Sequence, residues 1–470
     1  MIRFNLKDIL KGTAGTLITG TPGPRLFTGI SIDSRTVTSG QVFFAIRGET
    51  HDGHDFLQEA WKGGAALAVV DKDLPPVAAK IPPIPLIVVE NTVRALQTLA
   101  SFWRERHPVP TLAVVGSVGK TTIKEMTAGI LSTKGPCLRN AGNFNNHIGL
   151  PFSLLELADY HRYAVLELGS NAPGEIAMLT SILQPQAAVI TRLGWAHLEG
   201  FGDLESLVNE KAAVLEALPP TGWCALNGES QWYEVLRDRA NCRVLTYGLN
   251  TGEVTASEIS PGTETSFVMK TPMGRERVHI KGFGMHFVEN ALAAAAVTLP
   301  LGISLEHMIS GLASWYPRDG RGEILNPRPG VNFIDDTYNA NPLSVGTALI
   351  NLAALKSEGV TVAVLGEMKE LGDYFEQGHI LVGRRVGELG IDFLVAVGPV
   401  AELIGKGAAE AGMSREKIFS CAEDEAAVDV LAGLLAPGVW VLFKASRAAR
   451  IERIMKKFLD PVESPDGGGD

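Results

Sequence analysis

The stretch LAVVGSVGKTTIKEMTAGIL, residues 112–131, decides the fold class. An apolar run, a glycine turn, a lysine with two threonines and a helix-like segment follow one another, the order of buried strand, tight loop and helix. A strand ending at Val115, a turn over Gly116, Ser117, Val118 and Gly119, and a helix starting near Thr121 aim several backbone N–H groups at one point. The positive end of the helix dipole adds to them, and that geometry binds phosphate. Lys120 is then expected to set a point charge between the β- and γ-phosphates, with Thr122 beside the cradle and the Thr121 hydroxyl on Mg2+. The string is shorter than the full eight-position phosphate-loop pattern, since Val114 stands where that pattern has glycine. The plain alternative is a glycine turn with a solvated lysine. Nucleotide binding by itself does not choose among switches, transporters and kinases.

The 470 residues exceed one ordinary core; at roughly 100 to 200 residues per domain, about three domains are expected. A net charge of −10 offers no basic footprint for a phosphate backbone, so no nucleic-acid partner is expected. The opening MIRFNLKDILKGTAG lacks the apolar core and small-residue cleavage site of a signal peptide, and no apolar run approaches the length needed to span a bilayer. Cys137, Cys224, Cys242 and Cys421 show no metal-binding or disulfide spacing. A soluble, reducing compartment, the cytoplasm, is the expected location.

The first hundred or so residues alternate short β-branched runs, GISIDSR, QVFFAIRG, ALAVVDKD and PLIVVEN, with helix candidates such as HDFLQEAWKGG, and read as a small α/β unit. RERHPVPT looks like a proline-broken hinge, which puts a boundary near residue 109. Strands YAVLELG and AAVITRLG then alternate with helices EIAMLTSIL and LESLVNEKAAVLEAL, the signature of a parallel sheet with crossover helices. Polar, alternating segments around 240–280 suggest extra antiparallel strands, and SWYPRDGRGEIL looks like a second linker. NFIDDTYNANP, TVAVLGEM, FLVAVGP and VWVLFKASR start and fill a third α/β unit. The tail DPVESPDGGGD has too little apolar content to fold and is expected to be disordered. The expected division is 1–108, 109–317 and 318–470.

In an open parallel sheet the carboxyl ends of the strands share one rim. Glu167, ending one strand, and His197, near the end of the next, are therefore placed to face the loop at 116–121. A carboxylate suits hard Mg2+, whereas an imidazole is a less usual ligand for it. On spacing alone Glu167 reads equally as a helix-N-terminal carboxylate and His197 as a loop histidine, and Lys211 reads as a solvated helix residue.

GSVGKTT, NAGNFNNHIGLP, VLELGSNAPGEI, LGWAHLEGFGDLESLVNEKA, GMHFVENALAAAA, DDTYNANP, VLGEMKELG and KASRAARIER stand in the order found in the Mur ligases. The chain resembles that family from about residue 30 to residue 455. It is most similar to the type that adds D-alanyl-D-alanine to UDP-N-acetylmuramoyl-tripeptide. The DNPR signature of the neighbouring diamino-acid-adding type is absent, while DDTYNANP and GEMKELG are present.

The resemblance implies three domains: a small α/β domain for the UDP end, a central phosphate-loop ATPase-like domain with a parallel sheet, and a C-terminal Rossmann-like α/β domain for the dipeptide. It implies that Gly116, Ser117, Gly119, Lys120, Thr121 and Thr122 hold ATP. Glu167 joins Thr121 on one Mg2+, and His197 binds a second. Lys211 falls where the family carries a carbamylated lysine, an anion able to approach metal where an ammonium is not. Asn290 matches the adenine-contacting asparagine, Arg321 the γ-phosphate arginine and Asp336 the residue near the ribose. Ser31, Ser34 and Arg35 are implied near the uridine diphosphate, and Asn143, Asn145 and Asn146 near the reacting substrate. KASR stands for the commoner KGSR, and Val118 for a residue that is often polar. A peptide-bond-forming ligase acting through an acyl phosphate is the implied function, with a diamino-acid-adding ligase, a folylpolyglutamate synthase or a nucleotide-gated binding protein as alternatives. No extended heptad pattern appears, so a monomer is expected.

Overall fold

The computed structural model describes residues 3–19, 26–73, 83–195 and 198–459. The expected disordered tail and His197 lie outside them. The chain forms two compact units, one of residues 1–191, 208–254 and 293–311, the other of 192–207, 255–292 and 312–470.

The first unit is built on two mainly parallel sheets. Its six-stranded sheet runs in the order Arg243–Tyr247, Trp223–Asn227, Ala187–Ile190, Thr111–Val115, Tyr163–Glu167, Cys137–Arg139, with every pairing parallel. Thr111–Val115 is buried throughout, as a strand covered on both faces must be, which explains its unbroken apolar run. From this strand the chain first crosses to Cys137–Arg139 on one side and later to Ala187–Ile190 on the other. The strand order therefore reverses at the end of Val115, where open α/β sheets form their ligand crevice.

The second sheet orders Thr16–Thr19, Leu86–Val89, Leu67–Asp71, Val42–Phe44 and Ile30–Ser31, parallel except for the first pair. Four of these five strands fall on the four runs expected of the small N-terminal unit, and Thr16–Thr19 is an addition to them. A new sheet starts at Thr111, close to the expected boundary, but compactness does not break there. Helix Thr92–Arg106 fastens the two sheets' segments: Trp103 Nε1 donates to Leu157 O at 2.8 Å, and buried Arg104 donates to Leu183 O at 3.1 Å and His107 O at 2.8 Å. Carbonyl acceptors offset the cost of burying the guanidinium.

The second unit holds a three-stranded antiparallel sheet, Thr255–Ser260, Thr265–Thr271 and Gly274–Ile280, where alternation pointed to extra strands. Its six-stranded sheet orders Glu323–Arg328, Val331–Asp335, Val439–Lys444, Val360–Leu365, Phe393–Val397 and Ile418–Cys421, parallel after the first antiparallel pair. Separate apolar clusters cover its two faces, one around Leu349, Leu394 and Leu442, the other around Phe333, Val395 and Phe443. Ala445 sits against Gly366, where an added Cβ would come within 2.9 Å of its methyl, so the alanine of KASR is accommodated by the glycine opposite. Among the described residues no helix is long and apolar enough to cross a membrane.

Candidate active site

The phosphate loop has the expected form. Gly116 sits at φ +151°, and a Cβ on it would lie 2.0 Å from Thr191 Oγ1, so the chain passes the neighbouring strand only without a side chain. Gly119, at φ +88°, turns the backbone into helix Lys120–Ser132. Ser117 and Thr122 are buried at its mouth. Lys120 Nζ donates to the loop's own carbonyls, Gly116 O at 2.9 Å and Ser117 O at 3.2 Å. Nothing in the structure explains why Val118 is apolar.

Thr121 Oγ1 donates to Glu167 Oε2 at 2.7 Å, and Asn145 Nδ2 donates to Glu167 Oε1 at 2.8 Å. Glu167 thus ends its strand buried, facing the first turn of the phosphate-loop helix. Hydroxyl and carboxylate in contact make an oxygen donor set, the kind a hard Mg2+ takes. Among the described residues no cluster of three or more His, Cys, Asp and Glu side chains could hold a metal.

Lys211 lies in helix Leu204–Glu216 and is 1% exposed, against the solvated place its spacing alone suggests. Its Nζ donates to Ser170 Oγ at 2.7 Å and Ser170 O at 3.2 Å. Burial, reinforced by the Lys120 charge, pushes its ammonium down to about 7. Reaction with CO2 requires a neutral amine, and a value of about 7 leaves roughly half of the molecules neutral at pH 7. Neighbouring Glu210 takes the N–H groups of Gly174 and Ile176, both at 2.7 Å, and caps helix Glu175–Leu183.

The asparagine segment divides its labour. Asn145 binds Glu167, while Asn146 Oδ1 accepts from Gly149 N at 2.8 Å and holds the start of helix Gly149–Leu154; Asn143 is exposed. In the other sheet of this unit, the buried Ser31 hydroxyl donates to Asp33 O at 3.0 Å within its own turn. Ser34 lies in the following turn, and Arg35, with 86% of its side chain exposed, pairs with Asp33 at 2.7 Å.

In the second unit, Arg321 follows two left-handed residues, Asp319 at φ +57° and Gly320 at +70°, and its guanidinium lies 3.7 Å from the Tyr338 ring centre. Tyr338 N–H donates to Gly320 O at 3.0 Å and Gly322 N–H to Asp335 O at 2.8 Å, tying the arginine segment to DDTYNANP on both sides. Lys444 Nζ donates to Asp336 Oδ2 at 2.6 Å and to Asn339 O at 3.0 Å. Burial raises the Asp336 carboxyl against the opposing pull of Lys444 and Arg321. Asn290 lies in helix Met285–Thr298, half-buried, next to Glu289, which binds Arg192 through both carboxylate oxygens. Trp195 packs tilted against Tyr374 with ring centres 5.0 Å apart, and Glu199 N–H donates to Glu370 O at 3.2 Å, so the described residues on either side of 196–197 lie against the GEMKELG segment and the turn after it.

Ser170, Glu210 and Tyr338 escape the sequence reading. Ser170 and Glu210 belong to quoted motifs, but a hydroxyl on a lysine or a carboxylate on a distant helix leaves no periodic trace. The pairing of Arg321 with Tyr338 likewise appears only when two loops meet.

Three family models match the chain in order: the Mur ligase family catalytic domain over residues 26–104, the Mur ligase middle domain over 114–298 and the Mur ligase glutamate ligase domain over 320–447. The UDP-N-acetylmuramoyl-tripeptide--D-alanyl-D-alanine ligase of Escherichia coli is 35% identical over 461 residues, 96% of each protein. A crystal structure of MurF from Acinetobacter baumannii superposes with a TM-score of 0.89 at 33% identity, covering 97% of this chain and 99% of that one. MurF from Thermotoga maritima in complex with ADP superposes at 0.80 with 29% identity, over 92% and 97%. With its motifs, its sheets and these full-length likenesses in agreement, the chain belongs to the Mur ligase family.

Proposed function

We propose that the chain is an ATP-dependent ligase that joins D-alanyl-D-alanine to UDP-N-acetylmuramoyl-tripeptide in the synthesis of peptidoglycan precursors. The observation that carries this reading is full-length likeness to enzymes of that name, 35% identity over 96% of both chains for the Escherichia coli protein. The constellation of half-buried Lys120 and Thr121 with buried Glu167 and Lys211 supports it.

An ionised carboxylate is a poor electrophile, so amide formation needs activation. ATP, a substrate here, gives its γ-phosphoryl group to the tripeptide's terminal carboxylate, leaving ADP and an acyl phosphate. The amine of D-alanyl-D-alanine attacks that carbonyl, loses a proton and expels inorganic phosphate as the amide forms. Phosphoryl transfer asks a protein mainly for positioning and charge neutralisation. Lys120 and Arg321 supply positive charge at the phosphates. Mg2+, when bound, neutralises phosphate charge; Thr121 and Glu167 would hold it, with His197 and carbamylated Lys211 serving a second ion. Asn290 and Asp336 receive the adenine and ribose, and Ser31, Ser34 and Arg35 lie near the uridine diphosphate. Asn143, Asn145 and Asn146 frame the reacting end. The divisions near 108 and 317 are taken as functional ones, and the enzyme as a cytoplasmic monomer.

The test is phosphate release with ATP and either UDP-N-acetylmuramoyl-tripeptide, in its lysine and diaminopimelate forms, with D-alanyl-D-alanine, or UDP-N-acetylmuramoyl-L-alanyl-D-glutamate with a diamino acid. Release dependent on D-alanyl-D-alanine is expected. Dependence on the diamino acid would move the enzyme to the neighbouring type, and release with neither would sink the ligase reading.

A further inference from the structure

The hydrogen bonds around Glu167 continue to two residues outside the reading above, Asn140 and Lys124, each 1% exposed. Asn140 follows strand Cys137–Arg139, which pairs in parallel with the strand that Glu167 ends. Its Oδ1 accepts from Glu167 N–H at 3.0 Å, and its Nδ2 donates to Glu167 O at 3.0 Å. The orientation of the amide is fixed, because one face meets a donor and the other an acceptor. One side chain thus grips both backbone polar groups of the residue whose carboxylate meets Thr121.

The same Nδ2 donates to Phe144 O at 2.8 Å, just before Asn145, which holds the Glu167 carboxylate itself. Gly169 N–H donates to Asn145 O at 2.9 Å, and a Cβ on Gly169 would lie 2.8 Å from Asn145 Oδ1, so this loop closes tightly on the strand end. From the opposite side, Lys124 Nζ donates to Asn140 O at 2.6 Å and lies 3.2 Å from Glu125. Lys124 stands one turn beyond Lys120 on the phosphate-loop helix. A continuous line of buried bonds therefore runs from that helix through Asn140 to Glu167. Burying an ammonium costs several kcal/mol unless it is paired and hydrogen-bonded. A leucine or methionine would fill the same space without that cost, so the bond itself is what the lysine contributes.

We infer that Asn140 is a positioning residue that sets the Glu167 carboxylate for a metal ion, and that Lys124 fixes Asn140 to the phosphate-loop helix. This rests on the proposed role of Glu167 as a metal carboxylate. Neither residue is placed on substrate. Outer partners of metal ligands typically govern about 10–100-fold in metal affinity.

The experiment uses the full chain loaded with ADP and titrated with Mn2+ in place of Mg2+, free Mn2+ being read by electron paramagnetic resonance. Asn140→Ala is expected to raise the Mn2+ dissociation constant about tenfold or more, with metal-free ADP binding by calorimetry nearly unchanged; a general packing defect would weaken both. Lys124→Met should act in the same direction by a smaller factor. Wild-type Mn2+ affinity in a folded Asn140→Ala protein overturns the inference. If that variant does not fold, wild-type affinity in Lys124→Met overturns it. Glu167→Gln is the control: if it too binds Mn2+ normally, the assignment of Glu167 fails and the inference falls with it. If only the Asn140 and Lys124 variants are silent, the inference alone fails.

Discussion

Lys211 shows how far burial, aided by a neighbouring charge, can change a residue's chemistry. A lysine at its ordinary value of 10.5 is neutral in only about one molecule in three thousand at pH 7, whereas one pushed down to about 7 is neutral in roughly half. The neutral amine adds to CO2 and releases a proton, giving an anionic carbamate where an ammonium had stood. Because the lowered value leaves the neutral form dominant above about 7, activity in buffers low in CO2 should rise with pH through that region and level off above it. Added bicarbonate should lift the low-pH limb. Lys211→Ala should lose most activity, and short carboxylic acids should restore part of it by supplying the missing carboxylate. Carbon-13 NMR after labelling with 13C-bicarbonate should show a carbamate in the native protein and none in the variant. Normal activity in the unrescued variant would refute the role.

Helix Phe375–Glu388 carries a second buried base, and here the consequence is structural. His379 is fully buried; its Nε2 accepts from Met368 N–H at 2.9 Å, which leaves the proton on Nδ1 to be donated to Phe375 O at 2.7 Å. Burial lowers its affinity for a proton, aided by the charge of Lys369 and opposed by the Phe375 bond and Glu367. A second proton would also break the bond that pins Met368 in GEMKELG. The unfolded chain therefore binds this proton more readily, so the stabilisation is complete above about pH 6.5 and is lost as pH falls below it. Urea midpoints at pH 8 and pH 5 should fall further apart in the native protein than in His379→Gln; equal drops would exclude this histidine as a source of acid sensitivity.

Elements of this kind also mark what the sequence discloses. Strand Thr111–Val115 is legible because burial on both faces demands an unbroken apolar run, and the phosphate loop because Gly116 and Gly119 have no substitutes. The union of the first two sheets in one compact unit is not, since it depends on Trp103 and Arg104 reaching carbonyls far along the chain. Glu167 and Lys211 acquire roles only through resemblance. The bonds of Asn140 and His379 to backbone groups follow no period at all.

At the scale of the molecule, the ligand-binding loop and the rest of the chain are coupled through stability. A ligand that binds only the folded protein adds RT ln(1 + [L]/Kd), about 2.7 kcal/mol at a hundred times its dissociation constant. For units of this size that moves a thermal transition by roughly 5–10 °C. The unit that contains the phosphate loop spans residues 1–191, 208–254 and 293–311, and ADP with Mg2+ should raise its transition. Lys120 now binds Gly116 O and Ser117 O, so Lys120→Met removes the charge that meets phosphate and also a tie within the loop. The unliganded variant should therefore melt slightly lower, and ADP should shift it little. UDP-N-acetylmuramoyl-tripeptide should give its own shift without ADP, because its expected contacts, Ser31, Ser34 and Arg35, lie on strand Ile30–Ser31 of the other sheet and in the turn after it, in the same unit. Differential scanning calorimetry with each ligand alone and both together measures these terms. An ADP shift that survives intact in Lys120→Met would remove the phosphate loop from nucleotide binding.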